Sequence, residues 1–234
     1  MNGWDFSKLQ VISEGVEWEF YEEVRKNSKN TDVLLDIGTG GGEGLLSIAS
    51  SLLLTVGVDL SKSMVETAKE NLEKSEITNV KFLQMNSDDL QFPAGFFDVI
   101  SCRHAPFSAV EVAKVLKRGG IFLSQQVSEA DKLNIKQVFG RGQAFHEPDG
   151  NLKATYIQDL KEAGFSKVQS YDYNAKNYFQ RPEDLVFLLQ HTPIIPNFGN
   201  RIEDGMILEE FIRSNRTIKG ICTNEKRFLI IAEK

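Results

Sequence analysis

Asp36, Gly38, Gly40 and Gly42 stand at alternate positions, an acid followed by three glycines. Glycine lets a backbone turn tightly and lie against a ligand, because it has no side chain to keep the ligand away. A carboxylate at the start of such a turn suits a ligand carrying positive charge. A second acid, Asp59, follows the apolar Val56-Gly57-Val58 and lies about 20 residues beyond the glycines, the spacing at which an acid takes a ribose diol. A dinucleotide fingerprint needs glycine or alanine at the sixth place of G-x-G-x-x-G. Counted from Gly38 that place is Glu43, and counted from Gly40 it is Leu45, so neither register fits.

A second group of reactive side chains is Cys102-Arg103-His104. His104 is suited to act as a base or as a donor that orients an acceptor, or else as an ordinary loop histidine. Arg103 is suited to an acidic substrate or to solvent. His146 is a further candidate for a pocket, and His191 reads as structural. The only cysteines are Cys102 and Cys222, so no disulfide framework and no zinc cluster are expected, in keeping with a reducing cytoplasm.

These residues need a scaffold. Val33–Ile37 reads as a strand, Gly42–Ser51 as a helix and Leu54–Asp59 as a second strand, both strands apolar on both faces as in a buried parallel sheet. Ser61 reads as the cap of a helix over Lys62–Lys74. Val80–Met85 and Phe97–Cys102 are further strands. Ser108–Leu116 reads as a helix stopped by Lys117-Arg118-Gly119-Gly120. Ile121–Val127, Phe165–Tyr173 and Arg227–Ala232 complete the strands, with a helix over Thr155–Ala163, and Glu14–Ser28 reads as an amphipathic helix. The alternation predicts an α/β, Rossmann-like, doubly wound fold: a mainly parallel seven-stranded sheet with an antiparallel final strand and helices on both faces. A single domain over 1–234 is expected, with a helical lid (1–30), the core (31–173), an insertion capping the site (174–215) and the final strand (216–234). Ligands of such folds bind at the carboxyl ends of the strands.

Several stretches resemble the class I S-adenosylmethionine-dependent methyltransferases. Leu34-Leu35-Asp36-Ile37-Gly38-Thr39-Gly40-Gly41-Gly42 is similar to the family's first motif, and Val56-Gly57-Val58-Asp59-Leu60-Ser61 to its second. Asn86-Ser87-Asp88-Asp89-Leu90-Gln91-Phe92-Pro93, with Phe97-Asp98-Val99-Ile100, resembles the segment that reads the adenine. The likeness covers about residues 30–130. Residues 179–193 also resemble uncharacterised bacterial methyltransferases of the type 11 group. One departure is Asn86, where the family usually has an acid; its amide oxygen still accepts a hydrogen bond.

The resemblance implies S-adenosylmethionine as cofactor, S-adenosylhomocysteine as product and no metal. It implies a cofactor site of Asp36, Gly38, Thr39, Gly40, Gly42, Asp59, Leu60, Asn86, Ser87, Asp88 and Cys102. Asp36 would lie near the methionyl amine, and the Ser87 N–H would meet the adenine ring. His104 is the candidate catalytic residue. The expected activity is methyl transfer to a small-molecule acceptor. The alternatives are a methyltransferase of RNA or protein and a non-catalytic cofactor-binding module.

A net charge of −6 gives no general attraction to nucleic acid. A local basic rim of Lys132, Lys136, Arg141 and Lys153 would be needed for RNA; these residues read instead as a solvated face. No apolar run approaches the length of a membrane span, and the first six residues lack the pattern of a signal peptide. Trp4, Phe6, Trp18, Phe20 and Tyr21 near the start, with Tyr178, Phe179, Phe187 and Phe198 in the insertion, are expected to pack, a subset of them lining an acceptor pocket.

Overall fold

The computed structural model describes residues 8–234, so Trp4 and Phe6 lie outside the described residues. Its strands are β1 (Val11–Glu14), β2 (Val33–Ile37), β3 (Leu54–Asp59), β4 (Val80–Gln84), β5 (Phe97–Arg103), β6 (Leu116–Val127), β7 (Lys167–Phe179), β8 (Arg216–Thr217) and β9 (Gly220–Glu233). Its helices are α1 (Phe20–Lys26), α2 (Glu43–Ala49), α3 (Lys62–Glu73), α4 (Ala109–Val115), α5 (Leu133–Phe139), α6 (Asn151–Glu162), α7 (Pro182–His191) and α8 (Glu203–Asn215). Among the described residues nine strands, rather than the expected seven, join in the order β1-β7-β9-β6-β5-β2-β3-β4, with β8 on β9.

The chain forms two compact units. The larger holds residues 18–126, 153–171 and 228–234. There β2 pairs in parallel with β3 and β5, β3 with β4, and β5 with β6. The chain leaves β2 toward β3 and returns on its other side as β5, which makes a switch point beside β2. The last strand is antiparallel: the Gly119 N–H donates to the Lys234 carbonyl at 2.9 Å, and the Lys234 N–H to Gly120 at 3.1 Å.

Alternation along the strands assigns two cores. Leu34, Val99 and Leu123 pack with Phe20 and Val24 of α1, Leu45 and Ile48 of α2, and Val65 and Ala68 of α3. Their neighbours Leu35, Ile100 and Phe122, in register with one another, point to the opposite face. There Phe107 packs edge-on to Phe122, its centroid 4.7 Å away, and stacks on Tyr156 of α6 at 4.4 Å. Helices thus cover both faces, as the apolar strands require. Ser61 caps α3, its Oγ accepting from the Met64 N–H at 3.4 Å.

The smaller unit holds described residues 8–17, 127–152 and 172–227. Here β1 pairs antiparallel with the end of β7, Val11 opposite Phe179. Ile135, Phe139, Leu185, Leu189, Leu208 and Phe211 of α5, α7 and α8 form its core with Phe179 and Ile221.

Several boundaries differ from the sequence expectation. The expected helix over 14–28 is confined to Phe20–Lys26, because Val11–Glu14 is a strand paired to residues 176–179 and Gly15 turns the chain at φ +86°. Lys117-Arg118-Gly119-Gly120 is not a stop after a helix. It belongs to β6, as a bulge in the β5 register where Phe97 faces Leu116 and Val99 faces Ile121. The sixth strand runs on to Phe179, and the final strand begins at Gly220 rather than Arg227.

Candidate cofactor site at the strand ends

The expected cofactor residues all lie in the larger unit, at the carboxyl ends of β2, β3, β4 and β5. Gly38, Gly40 and Gly42 have φ of +71°, +56° and +79°, values that glycine adopts without strain. The turn is pinned by the Gly38 and Thr39 N–H groups, which donate to the Val58 carbonyl at 2.9 and 3.1 Å. A side chain at Gly38 would meet Ala105 Cβ at 2.2 Å, so only glycine lets the β2 turn lie against the loop after β5. At Gly40 a Cβ would meet nothing within 4 Å, so open space adjoins the middle of the turn.

Asp59 ties three strand ends together. Its Oδ2 accepts from the Gly40 N–H at 3.0 Å and its Oδ1 from the Ser61 N–H at 2.9 Å. Its carbonyl accepts from the Met85 N–H at 3.0 Å, bringing Asn86 beside it. A carboxylate has about four lone-pair sites, so two remain for other donors. Leu60 is 68% exposed next to it. Asn86 closes its own turn, its amide oxygen accepting from the Asp88 N–H at 3.1 Å; Asn86 and Asp88 are exposed and Ser87 half-buried.

Asp36 has the opposite surroundings, at 1% exposure. Its Oδ1 accepts from Ser101 Oγ at 2.6 Å and its Oδ2 from Tyr21 Oη at 3.2 Å. Burial pushes its pKa up to about 6, against the pull of the Ser101, Thr39 and Tyr21 hydroxyls and of the Arg103 charge. At this burial a cationic ligand could be reached by its charge and not by an exposed oxygen. Burial also raises the Tyr21 hydroxyl well above its ordinary value, with the Asp36 charge adding to the effect. Cys102 is fully buried; its thiol donates to the Ala105 carbonyl at 3.2 Å and is pushed up by burial and by the Asp36 charge. The Thr39 hydroxyl, buried near enough to Asp36 to lower its pKa, makes no hydrogen bond of ordinary geometry. A buried hydroxyl with no well-formed hydrogen bond, an open glycine and a carboxylate with two free lone-pair sites suit a cofactor bearing an ammonium, a carboxylate and a diol.

Ser101 was missed by sequence reasoning, and Tyr21 was expected only to pack or to line an acceptor pocket, not to hold Asp36. Ser101 stands opposite Asp36 in the β2–β5 register, and a lone serine inside an apolar buried strand was the available signal. Gln125 was also missed. It is 3% exposed, accepts from Trp18 Nε1 at 2.7 Å and lies 3.1 Å from His104 Nε2.

The other two histidines belong to the smaller unit. His191 packs on Phe187 with centroids 4.1 Å apart, its Nδ1 2.8 Å from the Phe187 carbonyl, the structural part expected of it. His146 is exposed beside Phe145, their centroids 5.0 Å apart. The basic rim that RNA would need loses Lys132 and Lys136. Lys132 is 4% exposed and donates to the Asn224 carbonyl at 2.9 Å; Lys136 is 3% exposed and donates to the Glu129 carbonyl at 2.8 Å. Arg141 pairs with buried Asp204 at 2.7 Å. Tyr178 and Phe179 are buried as well. Among the described residues no group of histidines, cysteines and acids is arranged to hold a metal ion, and no helix is long and apolar enough to cross a membrane.

A sequence profile described as a methyltransferase domain matches residues 28–151, more than half of the chain. The chain belongs to the methyltransferase domain family. The methyltransferase domain is 41% identical over 97 residues to the uncharacterised methyltransferase YcgJ of Bacillus subtilis, covering 38% of each chain. It is 32% identical over 116 residues to a demethylmenaquinone methyltransferase of Lactococcus lactis, covering 45% of this chain and 46% of that protein. It thus spans under half the length of these curated relatives. The crystal structure of YcgJ superposes on 92% of this chain and 97% of its own with a TM-score of 0.66 at 21% identity, a likeness of fold. The shared fold is that of the class I S-adenosylmethionine-dependent methyltransferases, and the cofactor of the family is S-adenosylmethionine.

Proposed function

We propose that the protein transfers a methyl group from S-adenosylmethionine to a small-molecule acceptor. The observation that carries this reading is the Asp59 carboxylate, fixed by the Gly40 and Ser61 N–H groups beside an open glycine turn. In this reading Asp59 takes the ribose diol, and Gly38, Thr39, Gly40 and Gly42 line the amino acid and ribose. Leu60, Asn86, Ser87 and Asp88 surround the adenine. Asp36 favours the ammonium through its charge, and Cys102 backs the turn from β5. His104 meets the acceptor.

When bound, the cofactor supplies a methyl group on a sulfonium: the acceptor's lone pair forms the new bond to carbon while the carbon–sulfur pair returns to sulfur, leaving S-adenosylhomocysteine. The protein's own part is to orient the two reactants and exclude water, which can supply several kcal/mol of the barrier. A small acceptor is supported by the net charge of −6 and by the burial of Lys132 and Lys136, which removes the rim an RNA backbone would need. The name of the Lactococcus lactis relative also points to a small-molecule acceptor for that protein.

Calorimetry tests the reading. S-adenosylmethionine or S-adenosylhomocysteine should bind in the micromolar range, about −8 kcal/mol, and NADH should not bind. Folded protein that binds neither sulfur compound defeats the proposal. Turnover against a panel of small acceptors separates an enzyme from a module that only holds the cofactor.

A further inference from the structure

Arg103 closes β5 two residues beyond Ser101, so the two side chains point to the same face of the sheet. On that face Ser101 donates to Asp36 at 2.6 Å. The Arg103 charge is felt by Asp36 and by the Tyr21 hydroxyl. Its guanidinium carbon lies over the Tyr21 ring, 5.8 Å from the centroid.

That ring is a fixed platform. It is 7% exposed and stands edge-on to Phe20, their centroids 5.3 Å apart. A side chain on Gly44 would meet it at 2.0 Å, so glycine there admits it. Its hydroxyl is held on Asp36. Arg103 itself is exposed, and its guanidinium makes no hydrogen bond or ion pair with another described residue. A guanidinium laid on a ring keeps its N–H fork for a planar acid group, which it grips at two points.

The glycine turn has few donors to give such an acid. The Gly38 and Thr39 N–H groups are spent on the Val58 carbonyl, that of Gly42 on the Thr39 carbonyl and that of Gly40 on Asp59. Among the described residues only the Gly41 N–H of the turn is left, against about four lone-pair sites on a carboxylate. In an amino acid the ammonium and the carboxylate sit on one carbon, so the partner of one stands beside the partner of the other. Arg103 is the cation within reach of Asp36.

We propose that Arg103 grips the carboxylate of the cofactor's amino-acid end, so that Asp36 and Arg103 read the two charges of one zwitterion and disfavour a cofactor that has lost its carboxylate. The inference rests on the reading of the site given above and adds to it a residue that selects among sulfur nucleosides.

Calorimetry with two compounds tests it without any acceptor. One is S-adenosylhomocysteine. The other is its decarboxylated analogue, in which a 3-aminopropyl chain on sulfur keeps the ammonium and lacks the acid. Wild-type protein should bind the analogue about tenfold more weakly than S-adenosylhomocysteine. Arg103→Gln should weaken S-adenosylhomocysteine about tenfold and change the analogue by less than about twofold, so that the variant no longer tells the two apart. Arg103→Lys keeps the charge without the fork and should fall between them. Arg103 is exposed, so these variants keep the fold.

Equal weakening of both compounds in Arg103→Gln means that no carboxylate is read there, and the proposal fails. It fails too if S-adenosylhomocysteine binds the variant as it binds wild type, or if wild type does not discriminate; the methyltransferase reading then stands. Wild-type protein that binds neither compound defeats that reading and this inference with it.

A spectroscopic arm separates contact from a general field. The nitrogen-15 Nε–H signal of Arg103 is the one lost in Arg103→Lys. It should shift when S-adenosylhomocysteine binds and stay near its free position with the analogue. The same shift with both compounds overturns the grip.

Discussion

Asp36 and Asp59 end neighbouring strands, yet they do different work. Asp36 is sealed at 1% exposure, held by the hydroxyls of Ser101 and Tyr21, and titrates near 6. Asp59 is half-buried, held by the backbone N–H groups of Gly40 and Ser61, with two lone-pair sites to spare. The difference lies in the packing above each strand end. Tyr21 of α1 lies over Asp36, while the open glycine turn lies beside Asp59. One carboxylate is part of the frame, and the other is the one proposed to meet the cofactor.

The sharpest way to break this contrast is Asp36→Ala. It leaves the buried hydroxyls of Ser101 and Tyr21 without their acceptor, a loss of about 2–4 kcal/mol in folding stability by denaturant titration. The same loss from Asp59→Ala would erase the distinction. A second test uses pH. Folding raises the Asp36 pKa from 3.8 to about 6, so between those values the folded chain keeps a proton that the unfolded chain has lost. Stability therefore falls as pH rises from about 4 to 6 and levels off above. The Asp36 contribution to that fall is at most about 3 kcal/mol and is absent in Asp36→Asn, as the difference between paired denaturation curves should show.

Asp59→Ala should fold and bind S-adenosylmethionine about tenfold more weakly by calorimetry, close to 1.4 kcal/mol for the lost diol contact. The smallest effect is that of Leu60→Ala. At 68% exposure its side chain does little for the fold, so stability should change by less than about 0.5 kcal/mol. Cofactor binding should weaken a fewfold, as about 1 kcal/mol of newly covered apolar surface is lost.

What the sequence made legible follows the range of the interactions. The glycine turn, Asp59 and the Ser61 cap are set by neighbours in sequence, and the apolar runs of β2, β3 and β5 declare a parallel sheet. Ser101 and Gln125 gain their meaning from strands that the chain reaches only after other elements; Ser101 is marked locally only as a polar residue in an apolar run, and Gln125, within Ser124-Gln125-Gln126, by nothing. Lys132 and Lys136 read as a solvated face because their charge is visible while Asn224, which takes the Lys132 ammonium, lies 92 residues away. The helix expected over 14–28 loses its first part for the same reason: β1 is fixed by residues 176–179, far along the chain.

Trp18 has a practical consequence. The chain carries two tryptophans, Trp4 and Trp18, so Trp4→Phe leaves a single indole whose N–H is bonded to Gln125. Tryptophan emission shifts when that bond is made or broken. The fluorescence of this one side chain is therefore an optical gauge of the loop that carries His104, readable in dilute solution and without any label.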